Sequence, residues 1–79
     1  MDEIREFFVG KVAELCGVPA DTVTDDTEMI KDLGMKSATL VVLIAALEDE
    51  YDIDIDFMKF RRALSVKDAV EALDELVNG

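Results

Sequence analysis

The spacing of apolar residues predicts an all-α fold. The expected architecture is a four-helix bundle of three longer helices and one short helix, with a long first loop. Apolar residues recur at helical intervals in separate stretches near the start, middle and end of the chain. One short segment alternates like a strand, but no second segment is available to pair with it. Between the first two helical stretches runs a segment with neither period, rich in Asp and Thr. At 79 residues the chain supports a single domain, residues 1–79, with one modest core.

The first helix is expected over Asp2 to Cys16. Ile4, Phe8, Val12 and Leu15 form its stripe and Phe7 lies on the flank. Asp2 or Glu3 suits its N-terminus, Gly17 supplies the C′ residue, and Pro19 blocks continuation. From Val18 to Lys36 the periodicity is lost, yet Val18, Val23, Met29, Ile30 and Leu33 are too apolar for a free linker. A loop this long in a small domain is functional or packed by its own side chains. Those five residues are expected to pin it to the bundle, with a short turn near Ala20 to Val23.

Ser37 to Tyr51 is the strongest helix. Leu40, Leu43, Ile44, Leu47 and Tyr51 make one stripe, and Ala45 and Ala46 raise the propensity. Val41 and Val42 widen its apolar face beyond what a single core contact needs. Asp52 to Asp56 then alternates acid with isoleucine and reads as a loop with Ile53 and Ile55 turned inward. A short helix is expected over Phe57 to Leu64. Ser65 with Asp68 makes a capping-box-like pair at the start of the last helix, whose stripe is Val66, Ala69, Val70, Leu73 and Val77.

Composition excludes several kinds of chemistry. Nineteen acidic residues stand against 8 basic ones, a net charge of −11. Nucleic acid and anionic membrane surfaces are therefore poor partners, since both need a basic footprint. Histidine is absent and Cys16 is the only cysteine, so neither a transition-metal site nor a Ser-His or Cys-His nucleophile can be assembled. The carboxylates Asp52, Asp54 and Asp56 mimic the opening of a calcium loop. Phe57 and Ala63 then stand where that loop needs Gly and Glu, so it is rejected. A single cysteine, read as a structural thiol at the end of the first helix, fits a reducing, cytoplasmic setting. The chain opens Met-Asp-Glu without the features of a signal or transit segment. Its longest unbroken apolar run, Leu40 to Leu47, has eight residues, far short of a membrane span. The expectation is a protein that is not an enzyme.

The run Asp32-Leu33-Gly34-Met35-Lys36-Ser37 lies where the long loop meets the strongest helix. Two readings fit Ser37. It caps the helix, as Ser commonly does. Or it presents an exposed hydroxyl where the free N–H groups and dipole of the helix start favour an attached anion such as a phosphodiester.

A family resemblance bears on that choice. Leu15-Cys16-Gly17-Val18-Pro19, Val23-Thr24-Asp25-Asp26-Thr27, Ile30-Lys31-Asp32-Leu33-Gly34 and Ser37 together resemble an acyl carrier protein. The likeness continues through Leu43, Ala46-Leu47-Glu48-Asp49-Glu50-Tyr51 and Ile55 to Ser65-Val66 and Asp68-Ala69-Val70, and covers nearly the whole chain. It implies a four-helix bundle whose Ser37 accepts 4′-phosphopantetheine from coenzyme A through a phosphopantetheinyl transferase. The arm's thiol would then carry acyl groups as thioesters for fatty-acid, polyketide or related biosynthesis; aminoacyl or peptidyl groups are a related cargo. Asp32 and Gly34 would shape the turn that presents Ser37. Leu43, Ile44, Leu47, Ile55 and Val70 are candidates to line a shelter for the acyl chain, and equally candidates for ordinary core.

The chain departs from the family at identifiable points. Lys36 precedes Ser37, where the family usually has Asp, and is expected to tune access to the serine. The early exposed face of the Ser37 helix carries Ala38, Thr39 and Val42, and acids return only at Glu48, Asp49 and Glu50. Residues 56–67 sum to +3, through Lys59, Arg61, Arg62 and Lys67 against Asp56. Thr39, Val42, Glu48, Asp49, Lys59, Arg61 and Arg62 are therefore the candidate partner-binding residues. Acyl-loading, condensing or transferring enzymes would read an apolar and locally basic surface on a monomeric carrier. The competing reading is a helical bundle without modification, acting as a protein-interaction module.

Overall fold

A computed structural model describes residues 2–63 and 65–79; the side chain of Asp2, one of the two candidate caps, lies outside that description. Four α-helices are present among the described residues: α1 (Asp2–Cys16), α2 (Ser37–Tyr51), α3 (Phe57–Arg61) and α4 (Val66–Asn78). A 3₁₀ turn over Ala20–Thr22 interrupts the long loop, within the segment where a turn was expected. No described residue belongs to a strand, and Glu28 and Ser65 form an isolated antiparallel bridge. The all-α bundle with a long first loop is thus the observed architecture.

Helix ends follow local chemistry. Gly17, at φ +68°, reverses the chain after α1, so that the Val18 N–H reaches the Ala13 carbonyl at 3.1 Å. Asp52 does the same after α2 at φ +53°, with the Ile53 N–H on the Glu48 carbonyl at 3.3 Å. The Ser65 hydroxyl accepts the Asp68 N–H at 3.2 Å and caps α4, as its place in the sequence predicts. Asp56 caps α3 by accepting the N–H groups of Met58 and Lys59. α3 ends at Arg61, shorter than the expected span; Leu64, the expected end, lies outside the described residues.

The core is one cluster contributed by every helix. Ile4, Phe8 and Val12 of α1 meet Leu40, Leu43, Ile44 and Leu47 of α2, Phe60 of α3, and Val66, Ala69, Val70 and Leu73 of α4. Phe8 packs edge-on to Phe60 at 6.1 Å and Phe7 edge-on to Tyr51 at 5.7 Å, an arrangement aromatic rings prefer. Burial, reinforced by the carboxylates of Glu50 and Glu3, pushes the Tyr51 hydroxyl above its ordinary pKa. Val9 and Ala13 are also buried while Leu15 is only half so, which places the seam of α1 slightly to one side of the expected stripe.

The long loop is held from both sides. Val23 and Met29 are buried, and Val18 and Leu33 pack against the core. Ile30 is a correction: it is 47% exposed, and Met35 is the further loop residue that enters the core. The cause is a helical turn over 28–32, which directs Met29 inward and leaves Ile30 to solvent. The carbonyls of Thr27 and Asp25 also accept the Val66 and Lys67 N–H groups, at 2.9 and 3.0 Å. Those donors belong to the first turn of α4 and have no intrahelical partner. Arg5 reaches Asp25 at 2.7 Å and ties the same loop to α1.

Candidate functional site

The site begins with the turn that delivers α2. The Asp32 carboxylate accepts the Glu28 N–H at 2.8 Å, and the Glu28 carbonyl accepts the Asp32 N–H at 2.8 Å, which closes the turn reciprocally. Gly34, at φ +66°, then reverses the chain, so that its own N–H meets the Ile30 carbonyl and the Met35 N–H meets the Met29 carbonyl, both at 3.1 Å. Met35 is buried and anchors the segment; Lys36 follows in extended conformation, and the helix starts at Ser37. A Cβ at position 34 would meet no atom within 4 Å, so a substitution there is opposed by backbone conformation alone. Gly34→Ala is expected to cost about 1 kcal/mol of stability, the left-handed penalty for an L-residue. Urea denaturation measures it.

Ser37 does not cap α2. Lys36 occupies the cap position without a side-chain cap hydrogen bond, and Ser37 is the first helical residue. The first intrahelical bond runs from the Leu40 N–H to the Lys36 carbonyl at 2.9 Å, so the N–H groups of Ser37, Ala38 and Thr39 have no intrahelical acceptor. Ser37 is exposed, and its hydroxyl has no hydrogen bond among the described residues. The chain's other serine, Ser65, is half-buried and committed to the cap of α4. An exposed hydroxyl at a helix start, beside the cation Lys36, suits a phosphodiester, because unpaired N–H groups and the helix dipole both favour an anion there.

The other candidates separate by environment. Val42, Asp49, Lys59, Arg61 and Arg62 are exposed, and Thr39 is half-buried. Glu48 is half-buried as well, and its carboxylate accepts the Ile55 N–H at 2.8 Å, so it fastens the loop after α2. Leu43, Ile44, Leu47, Ile55 and Val70 all lie in the core cluster, which leaves core and acyl lining both open to them. A cleft of about 490 Å³ opens beside Ile55. Among the residues that line it are Ile55, Lys59, Phe60, Ala72, Glu75 and Leu76. Of the candidate lining residues only Ile55 reaches it. Leu76, half exposed on α4, was the available signal for it: an apolar residue outside the α4 stripe.

Cys16 is half-buried and packs against the core, and burial pushes its thiol above the ordinary pKa. No group of three or more potential metal ligands is found among the described residues. No helix among them is long and apolar enough to cross a membrane.

Comparison with known proteins decides the family. The sequence model of the family described as "Phosphopantetheine attachment site" matches residues 6–73, most of the chain. The chain belongs to the phosphopantetheine-binding acyl carrier family. It is 35% identical over 75 residues to an acyl carrier protein of Saccharopolyspora erythraea, covering 95% of this chain and 79% of that relative. An acyl carrier protein of Campylobacter jejuni subsp. doylei is 34% identical over 65 residues, 82% of this chain and 84% of its own. One of Campylobacter hominis is 33% identical over 75 residues, 95% and 90% of the two chains. Acyl carrier proteins are carriers rather than enzymes, and their prosthetic group is phosphopantetheine. That accords with a chain lacking histidine, whose single thiol is set back in the fold.

Proposed function

We propose that this acyl carrier protein holds acyl intermediates as thioesters on a 4′-phosphopantetheine arm attached to Ser37, for fatty-acid, polyketide or related biosynthesis. The observation that carries the reading is the exposed, uncommitted hydroxyl of Ser37 at the first position of α2. When bound, the arm supplies the thiol that carries the cargo. The chain's own residues position it. Asp32 and Gly34 set the turn and Met35 anchors it, and the first-turn N–H groups with Lys36 would hold the phosphodiester. Leu43, Ile44, Leu47, Ile55 and Val70 offer an apolar interior into which an acyl chain can be drawn, with the cleft at Ile55 and Phe60 as one way in. The protein works as a single cytoplasmic domain and as a monomer. Its partners are a phosphopantetheinyl transferase and the acyl-loading, condensing or transferring enzymes of one pathway. Thr39, Val42, Asp49, Lys59, Arg61 and Arg62 form the surface they read.

A second reading, an unmodified interaction module, draws on one observation: Val41 and Val42 are 54% and 52% exposed. Replacing the chain in its source cell by the Ser37→Ala variant separates the two. A carrier loses pathway output entirely. A docking module retains it.

The modified protein should also show two thiols of different reactivity. Desolvation lowers the thiolate fraction of Cys16 at neutral pH, and the thiolate is the reactive form. Labelling with a chromogenic disulfide reagent is expected to give a fast phase from the arm and a slow phase from Cys16. Only the slow phase remains in Ser37→Ala. A fast Cys16 in that variant would contradict the burial of its thiol.

A further inference from the structure

A second cleft, of about 560 Å³, lies at the end of α2 away from Ser37 and has the size of a small-molecule site. Ser37 begins α2 and Tyr51 ends it, which separates the two by roughly 21 Å along the helix at 1.5 Å per residue. Glu3 and Phe7 of α1, Glu50 and Tyr51 of α2, and Val77 of α4 are among the residues that line the cleft. Phe7 and Tyr51 are half-buried and give it an aromatic lining. Glu3 and Glu50 are exposed and have no ion pair among the described residues. No described Lys or Arg lines the cleft. Lys11, which lies over the Phe7 ring at 5.9 Å, is paired with Glu14 at 3.6 Å.

The backbone adds to the negative charge. α2 and α4 both end at this cleft, and neither has a basic residue in its last turn. The C-terminal end of a helix carries partial negative charge, which a cation stabilises and an acid destabilises. α2 instead closes with Glu48, Asp49 and Glu50. The positive start of α1 is also here, but Glu3 already stands in its first turn. The chain therefore keeps an arrangement of charge that opposes two of its own helices, next to apolar surface. A local conflict of this kind points to a ligand that relieves it. An organic cation answers both features. Its charge offsets the carboxylates and the two helix ends, and its hydrocarbon stem covers Phe7, Tyr51 and Val77, whose rings also attract a cation.

We infer that this cleft is a binding site for a small organic cation, a protonated aliphatic amine, with Glu3 and Glu50 supplying the countercharge and Phe7, Tyr51 and Val77 covering the stem. The site is independent of any arm on Ser37. NMR titration of the unmodified chain with butylammonium chloride tests it. Saturable shifts are expected at Phe7, Tyr51 and Val77, and neither sodium chloride nor 1-butanol at the same concentration should produce them. Glu3→Gln and Glu50→Gln should each raise Kd about threefold and the double variant about tenfold. Glu71→Gln removes the same charge from an exposed position of α4 outside the cleft and should leave Kd unchanged. Glu50→Lys should abolish binding and raise Tm, because a base then stands at the helix end. Equal shifts with sodium chloride reduce the effect to charge screening, and equal shifts with 1-butanol reduce it to an apolar crevice. Either result overturns the site. So does a titration that never saturates, or a Kd that the double variant leaves unchanged.

Discussion

Ser37→Ala is expected to remain at its unmodified mass when incubated with coenzyme A and a phosphopantetheinyl transferase, while the parent protein gains one arm. The effect is complete because no other hydroxyl offers the same environment. Ser65 is half-buried and caps α4. Thr22 donates to the Pro19 carbonyl at 2.6 Å, and Thr24 and Thr27 are paired with each other. Thr39 shares the first turn of α2 but is half-buried and β-branched. The substitution removes an exposed hydroxyl without a hydrogen bond and introduces a good helix former at the first position. Stability should therefore change by no more than about 0.5 kcal/mol. Loss of the arm in a variant with unaltered thermal unfolding then reports chemistry at Ser37 and not a loss of fold.

Leu47→Ala is expected to destabilise the protein by about 3–4 kcal/mol, a large share of the roughly 5–15 kcal/mol available to a domain. Leu47 is fully buried at the middle of the cluster that joins all four helices, so the deleted atoms leave a cavity the neighbours cannot fill without moving. Val42→Ala, only five positions earlier on the same helix, should change stability by a few tenths of a kcal/mol at most. The lost side chain is half exposed, and alanine restores helix propensity. Urea unfolding of the two variants measures how different the two apolar faces of α2 are. Equal effects would mean that the outer face is packed in solution and is not free for a partner.

The helices were legible because their evidence is local. Periodicity located α1 and α2, and Ser65 declared its cap before Val66. The loop was legible only as something pinned. Its attachment to α4 runs through backbone carbonyls of Asp25 and Thr27, which carry no side-chain signature, and the exchange of Ile30 for Met35 follows from a turn whose phase apolar content does not specify. Ser37 was found by its position at the loop–helix junction. Whether it capped the helix or began it was open, because a boundary shift of one residue separates the two and Lys36 does not resemble a cap. Glu48 read as a surface acid for the same reason: its partner, the Ile55 N–H, is brought to it by the left-handed residue Asp52, an uncommon conformation for a residue other than glycine.

The carrier function requires that the arm reside on Ser37. Tandem mass spectrometry of the wild-type protein, after incubation with coenzyme A and transferase and proteolytic digestion, tests it most directly. One phosphopantetheine per chain is expected, found only on the peptide containing Ser37 and localised to that residue. An arm on any other residue, or a folded protein left bare by several transferases, would contradict it.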